Sequence, residues 1–298
     1  MAGKVTADKV TVDKVTAEKV TVAKVTVPEV RSRKQARGAQ PLVMLTAYDT
    51  PGARIADAAG VDVILVGDSV ANTVLGHADT LHVDVGVMVH HVAAVGRASP
   101  RALVVGDMPW LSYHVSVQDT ITNAAALVRA GAEAVKLEGG RARVAMIEAL
   151  VATEIPVMGH LGLTPQSVHA MGGYKVQARQ AAAAEALVDD AKAIVAAGCF
   201  AMVLEGVPDV VAARVTEEVD VPTIGIGAGA GCDGQVLVFH DLLGLGEGPV
   251  PKFVRRYADL RTVAVESVQA WAADVRSGAF PSEAETYHLP SPPSPGGP

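Results

Sequence analysis

Four short apolar runs, each ending at an acid, limit this chain's fold more than any other feature. Val61-Asp62-Val63-Ile64-Leu65-Val66-Gly67 runs into Asp68-Ser69, and Ala102-Leu103-Val104-Val105-Gly106 into Asp107. Ala134-Val135-Lys136-Leu137-Glu138 carries its acid inside the run, and Ala201-Met202-Val203-Leu204 meets Glu205. Strands that read as nearly continuous hydrophobic residues belong to parallel sheets covered on both faces. Acids at the carboxyl ends of several such strands converge on one mouth, the end at which open α/β sheets and α/β barrels bind ligands.

The third run is the most informative. Side chains alternate across a strand, so Lys136 and Glu138 share one face while Val135 and Leu137 take the other. Two charges on an inner face are costly unless paired, hydrated or bound to a metal. A structural ion pair satisfies that segment alone as well as a site does. Several strand-end acids with a lysine among them point further, to a site that holds a divalent cation. Glu205 has no neighbouring cation in sequence and is the best candidate for a general base. His160, closing residues 156–160, is either a positioning group or a satisfied core histidine.

Between these runs lie helical segments. Asp49-Thr50-Pro51 starts one that stops at Gly60, with proline at the first turn and glycine past the end. Others are expected over residues 83–97, 117–130, 141–153, 181–197, 208–219 and 254–276, with further strands at 43–47, 156–160, 222–227 and from 236. About eight alternations of strand and helix predict an α/β fold of the (β/α)8 barrel type with right-handed crossovers. An open dinucleotide-binding sheet is the runner-up, but Thr46-Ala47-Tyr48-Asp49 stands where its glycine fingerprint belongs. Gly225-Ile226-Gly227-Ala228-Gly229 is a weak match, since no convincing helix follows. The glycine-bearing stretch from Leu161 to Val176 is expected to be a lid over the mouth.

The ends differ from the middle. Lys-Val-Thr recurs with a five-residue step at Lys4, Lys9, Lys14, Lys19 and Lys24, which matches neither the helix nor the strand period. Residues 1–38 are therefore expected to be a disordered tail, residues 39–288 the barrel, and residues 289–298 a second disordered tail rich in Pro, Ser and Gly. A net charge of −7 speaks against a nucleic-acid partner. No apolar run reaches the roughly 20 residues of a membrane span. Cys199 and Cys232 lack metal-ligand spacing and read as reduced thiols of a cytoplasmic protein.

The motifs resemble those of the 3-methyl-2-oxobutanoate (ketopantoate) hydroxymethyltransferase family. They are Val66-Gly67-Asp68-Ser69, Asp107-Met108-Pro109, Val135-Lys136-Leu137-Glu138-Gly139-Gly140, Gly159-His160-Leu161-Gly162-Leu163-Thr164-Pro165-Gln166-Ser167, Gly172-Gly173-Tyr174-Lys175-Val176-Gln177, Leu204-Glu205 and Ile224-Gly225-Ile226-Gly227. The resemblance runs in one order from about Pro41 to His288, with Gly206 and Gly231-Cys232 as local departures. It implies a barrel of the phosphoenolpyruvate/pyruvate type that is cytoplasmic and a homo-oligomer, commonly a decamer. It also implies transfer of a hydroxymethyl group from 5,10-methylenetetrahydrofolate to the 2-oxo acid through a Mg²⁺-stabilised enolate, towards pantothenate and coenzyme A. On this resemblance Asp68, Asp107 and Glu138 hold Mg²⁺, the last close by or through water. Asp68, Ser69, Asp107 and Lys136 bind substrate, and Glu205 is the base. Ser69 could instead cap a helix, and Lys136 could form a Schiff base, although the metal already supplies an electron sink. His77, Tyr174 and Lys175 are candidate loop contacts. Two rivals remain. One is a lyase or mutase on the same barrel, which usually carries a cysteine motif near the fourth strand. The other is a non-catalytic scaffold.

Overall fold

A computed structural model describes residues 23–34, 40–248 and 250–289. In chain order the elements are α1 (Val27–Ser32), β1 (Leu42–Thr46), α2 (Thr50–Ala58), β2 (Val63–Val66), α3 (Val70–Thr73) and α4 (Val85–Gly96). Next come β3 (Leu103–Asp107), α5 (Val117–Ala130), β4 (Ala134–Glu138), α6 (Val144–Ala152), β5 (Val157–Gly162), α7 (Val168–Met171) and α8 (Ala181–Ala196). The chain continues through β6 (Ala201–Glu205), α9 (Asp209–Glu218), β7 (Thr223–Ile226), β8 (Gly234–Leu237), α10 (Phe239–Leu243) and α11 (Leu260–Ser277). All eight strands pair in parallel, and β8 closes on β1, so the sheet is the expected barrel.

Local chemistry sets the helix ends where the sequence places them. Asp49 accepts the Gly52 amide at 2.7 Å and starts α2, with Gly60 past its end at φ +79°. Ser116 caps α5 through the Asp119 amide, and Gly131 ends it at φ +119°. Gly159 packs closely on α8, where a Cβ would stand 2.5 Å from Ile194 Cδ1 and push that side-chain end aside.

Alternation then divides the core into two layers. Outward strand side chains pack with the helices, among them Val66, Val104, Val135, Leu137 and Leu204. Inward side chains fill the barrel, including Leu42, Met44, Val63, Leu65, Leu103, Val105, Ala134, Met158, Val203 and Ile224. The same inward columns end in polar groups: Leu103, Val105, Asp107 on β3; Ala134, Lys136, Glu138 on β4; Ala201, Val203, Glu205 on β6. The predicted acids are thus the top layer of a barrel interior whose lower layers are hydrocarbon.

Residues 23–34 overturn part of the expected N-terminal tail. Val25 and Val30 are buried in the barrel's inner cluster. The Val25 amide donates to the Arg101 carbonyl at 2.8 Å. Lys24 Nζ donates to the Ala102 carbonyl at 2.7 Å and pairs with Glu133. Arg33 reaches Asp62 at 3.0 Å, and Lys34 binds Asp233 and the Thr216 carbonyl. The segment closes the end of the barrel opposite the mouth. The pattern could not show this, because the apolar seat comes from strands far along the chain. Residues 1–22 and 35–38, the rest of that predicted tail, lie outside the described residues, as do residue 39 and residues 290–298 at the other end.

The last helix is longer than its role inside one chain explains. It begins at Leu260 rather than near 254, runs to Ser277, and buries none of its residues. Val263, Val268, Trp271 and Val275 are all exposed, with Trp271 at 53%. Where β8 meets β1, the outward side chains Val43 and Gln235, which are register partners, are exposed as well.

Candidate active site

Strand register builds the centre of the mouth. Asp107 on β3 pairs in register with Lys136 on β4, and Glu138 with His160 on β5. Lys136 Nζ lies 2.9 Å from Asp107 Oδ1, 4.0 Å from Glu138 Oε1 and 3.2 Å from His160 Nδ1. His160 Nδ1 is 3.2 Å from Glu138 Oε1, and its Nε2 is 3.3 Å from Glu205 Oε2. Asp68, just past β2, gives its amide to Asp107 Oδ2 at 3.0 Å. Asp68, Asp107, Lys136, Glu138 and His160 are all buried, whereas the Glu205 side chain keeps 17% of its surface.

Burial and mutual charge bias these groups unequally. Burial first, then the charges of Asp107 and Glu138, pushes Asp68 well above the usual carboxylate range. Burial raises Asp107 too, with Lys136 opposing. Burial also works against the charged form of Glu138, but the hydrogen bond and charge of His160, with Lys136, outweigh it and hold the group low. For Lys136, burial is outweighed by Asp107, Glu138 and Asp68, so the ammonium is held charged. For His160, burial and Lys136 resist protonation, yet Glu138 and Glu205 raise the imidazole to about 9.

Burial and mutual repulsion disfavour charge on Asp68 and Asp107, although Lys136 stands beside Asp107 and a protonated His160 beside Glu138. Asp107 Oδ1 faces Lys136 Nζ at 2.9 Å, and Glu138 Oε1 faces His160 Nδ1 at 3.2 Å. A divalent cation among these acids would favour their charged forms. Among the described residues no three His, Cys, Asp or Glu side chains are spaced to hold an ion by themselves. Mg²⁺ is commonly bound through one or two carboxylates and completes its octahedron with water and substrate oxygens. Asp68, just past β2, and Asp107, at the end of the adjacent β3, are the two carboxylates that would hold it directly. Glu138, engaged through Oε2 by the Gln166 amide at 3.0 Å and beside His160 through Oε1, is placed to act through water.

Above this centre opens a cavity of about 960 Å³. Asp68, Ser69, Asp107, Lys136, Glu138, His160 and Glu205 all line it, so every candidate site residue from the sequence meets in one place. Ser69 stands at the helix-cap position of α3 but makes no cap; its Oγ lies 2.8 Å from Tyr48 Oη. Of the loop candidates, Tyr174 and Lys175 line the cavity, whereas His77 does not and stacks on His82 at 4.9 Å. The Gln177 amide ties the loop after α7 to the Gly206 carbonyl at 2.8 Å.

Sequence reasoning missed Gln166 and Tyr113. Gln166 is buried directly behind the acids and bonds to Asp68. Tyr113 is fully buried beneath it. A polar residue in the turn Thr164-Pro165-Gln166-Ser167 gives no signal of burial.

The family model for ketopantoate hydroxymethyltransferase matches residues 24–283. The chain belongs to the ketopantoate hydroxymethyltransferase family. The match begins at Lys24, so it takes in the segment that closes the barrel. The 3-methyl-2-oxobutanoate hydroxymethyltransferase 2 of Bradyrhizobium diazoefficiens is 59% identical over 249 residues, 84% of this chain and 85% of its own length. The 3-methyl-2-oxobutanoate hydroxymethyltransferase of Koribacter versatilis is 54% identical over 84% of this chain and 85% of its own. Among solved structures, a 2,3-dimethylmalate lyase of the PEP mutase/isocitrate lyase superfamily matches with TM-score 0.56 at 19% identity, covering 88% of this chain and 91% of its own. A phosphonopyruvate hydrolase solved with oxalate and Mg²⁺ matches with TM-score 0.55 at 15% identity, covering 87% and 93%. At such identities these two establish the barrel type and nothing more. No described helix is long and apolar enough to cross a membrane.

Proposed function

We propose that this member of the family transfers a hydroxymethyl group from 5,10-methylenetetrahydrofolate to 3-methyl-2-oxobutanoate, giving 2-dehydropantoate on the way to pantothenate and coenzyme A. The observation that carries this reading is the division of labour in one cavity. A buried cradle of Asp68, Asp107 and Lys136 faces a separate, partly exposed carboxylate, Glu205, that leans on His160.

Each part answers a demand of the reaction. A 2-oxo acid brings a carboxylate and a keto oxygen, and removing its C3 proton drives charge onto that oxygen. When bound, Mg²⁺ supplies Lewis-acid stabilisation there. Lys136 presents a fixed positive charge to the same end of the substrate, and Ser69 offers a hydroxyl to the carboxylate. Its three carboxylate neighbours keep Lys136 protonated, which speaks against Schiff-base chemistry at that nitrogen. Glu205 takes the C3 proton, and His160 fixes the direction of its carboxylate. C3 then bonds to the donor's one-carbon unit as that carbon's bonds to the folate nitrogens break; water supplies the hydroxyl oxygen of the new CH2OH group, and tetrahydrofolate leaves with the protons released by C3 and by water. A five-carbon substrate occupies a small part of about 960 Å³. The remaining space, bordered by Val176, Val207 and Phe253, suits a large flat co-substrate. The family match speaks against a lyase or mutase reading, and a buried charged cradle has no use in a scaffold.

The exposed apolar stripe of α11 supports a homo-oligomer in which a second copy covers it.

The test is Glu205→Gln, which keeps size and shape but cannot accept a proton at neutral pH. With Mg²⁺ and 3-methyl-2-oxobutanoate, wild-type enzyme exchanges the C3 hydrogen for solvent deuterium. The variant should still bind substrate while exchange falls by about 10²–10⁴-fold, the usual contribution of a general base. Wild-type exchange in the variant would remove Glu205 from the proton-transfer role.

A further inference from the structure

Gln166 lies outside every role assigned above, yet it bonds to two of the acids, one through its side chain and one through its backbone amide. Its Nε2 donates to Asp68 Oδ2 at 2.9 Å and to the Met108 carbonyl at 3.0 Å. Its backbone amide donates to Glu138 Oε2 at 3.0 Å. Its Oε1 accepts from Tyr113 Oη at 2.6 Å, and that same Oη accepts the Glu138 amide at 3.1 Å. Gln166 is 5% exposed and Tyr113 0%.

These bonds leave the amide one orientation. Both Nε2 hydrogens are used, and turning the group over would set Oε1 against a carboxylate and a carbonyl. Tyr113 must donate its one hydroxyl hydrogen to Oε1, because its oxygen already takes the Glu138 amide. One residue from the turn after β5 thereby holds one oxygen of Asp68, past β2, and one of Glu138, on β4. The third acid is fixed in the same manner, Asp107 Oδ2 by the Asp68 amide. The other oxygens of Asp107 and Glu138 face cations instead, Oδ1 toward Lys136 Nζ at 2.9 Å and Oε1 toward His160 Nδ1 at 3.2 Å.

We infer that Gln166 is a positioning residue that presets the carboxylates of Asp68 and Glu138 for a divalent cation and its 2-oxo acid, with Tyr113 as the group that sets its amide. The inference rests on the cation reading of the site given above. Physically, the cost of bringing three like charges together is met partly at folding by neutral donors, so the ligand oxygens stand in place before an ion arrives. Groups that orient metal ligands in this manner are worth about 10–100-fold in metal affinity.

The experiment is a calorimetric titration of Mg²⁺ into the protein with 3-methyl-2-oxobutanoate at saturation, beside thermal melting of each variant without metal. Gln166→Met keeps the length and loses both side-chain donors. It should weaken the Mg²⁺ isotherm by about 10–100-fold. Tyr113→Phe keeps the buried ring and should weaken it in the same direction by less. It decides the matter by itself if Gln166→Met does not fold. A variant that melts lower but titrates like wild type overturns the inference and leaves Gln166 a packing residue. If wild-type protein takes up no Mg²⁺ with the 2-oxo acid, the cation reading fails and this inference falls with it. A wild type that binds beside an equally tight Gln166→Met sinks the inference alone.

Discussion

Substituting Val30 by alanine asks whether the segment at the closed end of the barrel is part of its core. Val30 is 0% exposed and Val25 2%, both in contact with the inward layer of the strands. Removing the two methyl groups forfeits about 0.8 kcal/mol for each buried carbon, roughly 1.6 in all. The void left in a floor built from strand side chains adds about 24 cal/mol per Å³ that fails to collapse. A total near 2–3 kcal/mol follows, and at roughly 2–4 °C per kcal/mol for a large domain the melting temperature should fall by about 4–12 °C. Lys24→Ala is the control. Its pair with Glu133 has side chains 40% and 39% exposed, so screening keeps its worth below about 1 kcal/mol. Deleting residues 2–22 should leave the melt unchanged, whereas deleting 2–34 should cost more than Val30→Ala. The assay is differential scanning calorimetry at fixed protein concentration. A Val30→Ala melt within a degree of wild type would show that the segment is not seated as the structure has it.

Other outcomes follow from the site and core. Asp68→Ala and Asp107→Ala should each abolish Mg²⁺-dependent binding of 3-methyl-2-oxobutanoate, read by calorimetry; a wild-type isotherm in either would unseat the cation assignment. Gly159→Val places its side chain against Ile194, where Cβ has only 2.5 Å, and should cost about 1–3 kcal/mol by denaturant titration. Burial pushes the Cys199 thiol up to about 12 and raises Cys232 as well, so neither should react with a thiol reagent until the protein is denatured. Rapid labelling of native protein would contradict that.

The charged centre was legible because it breaks a pattern. Asp68, Asp107, Lys136 and Glu138 interrupt runs that otherwise read as hydrocarbon, and alternation assigns Lys136 and Glu138 to one face before any coordinates exist. Gln166 breaks no pattern. Its turn is polar as turns are, and its burial comes from Asp68, 98 positions away, and Tyr113, 53 away. Residues 23–34 escaped for the same reason, since Lys24 finds its partner 109 positions on at Glu133. The β8–α10 region was uncertain because Gly234 and Gln235 open the last strand and carry none of the usual strand preference. In α11 the helix itself was expected from the sequence, but nothing in the sequence showed that it would bury none of its residues.

The segment that closes the barrel has a property that its own contacts do not reveal. Lys24-Val25-Thr26 is the fifth copy of a three-residue word, after Lys4-Val5-Thr6, Lys9-Val10-Thr11, Lys14-Val15-Thr16 and Lys19-Val20-Thr21. The two valines that fill the floor, Val25 and Val30, continue a valine at every fifth position from Val5 onward. The floor therefore constrains the spacing of two valines within one segment. A change of one or two residues between Val25 and Val30 puts the second valine out of step with its seat.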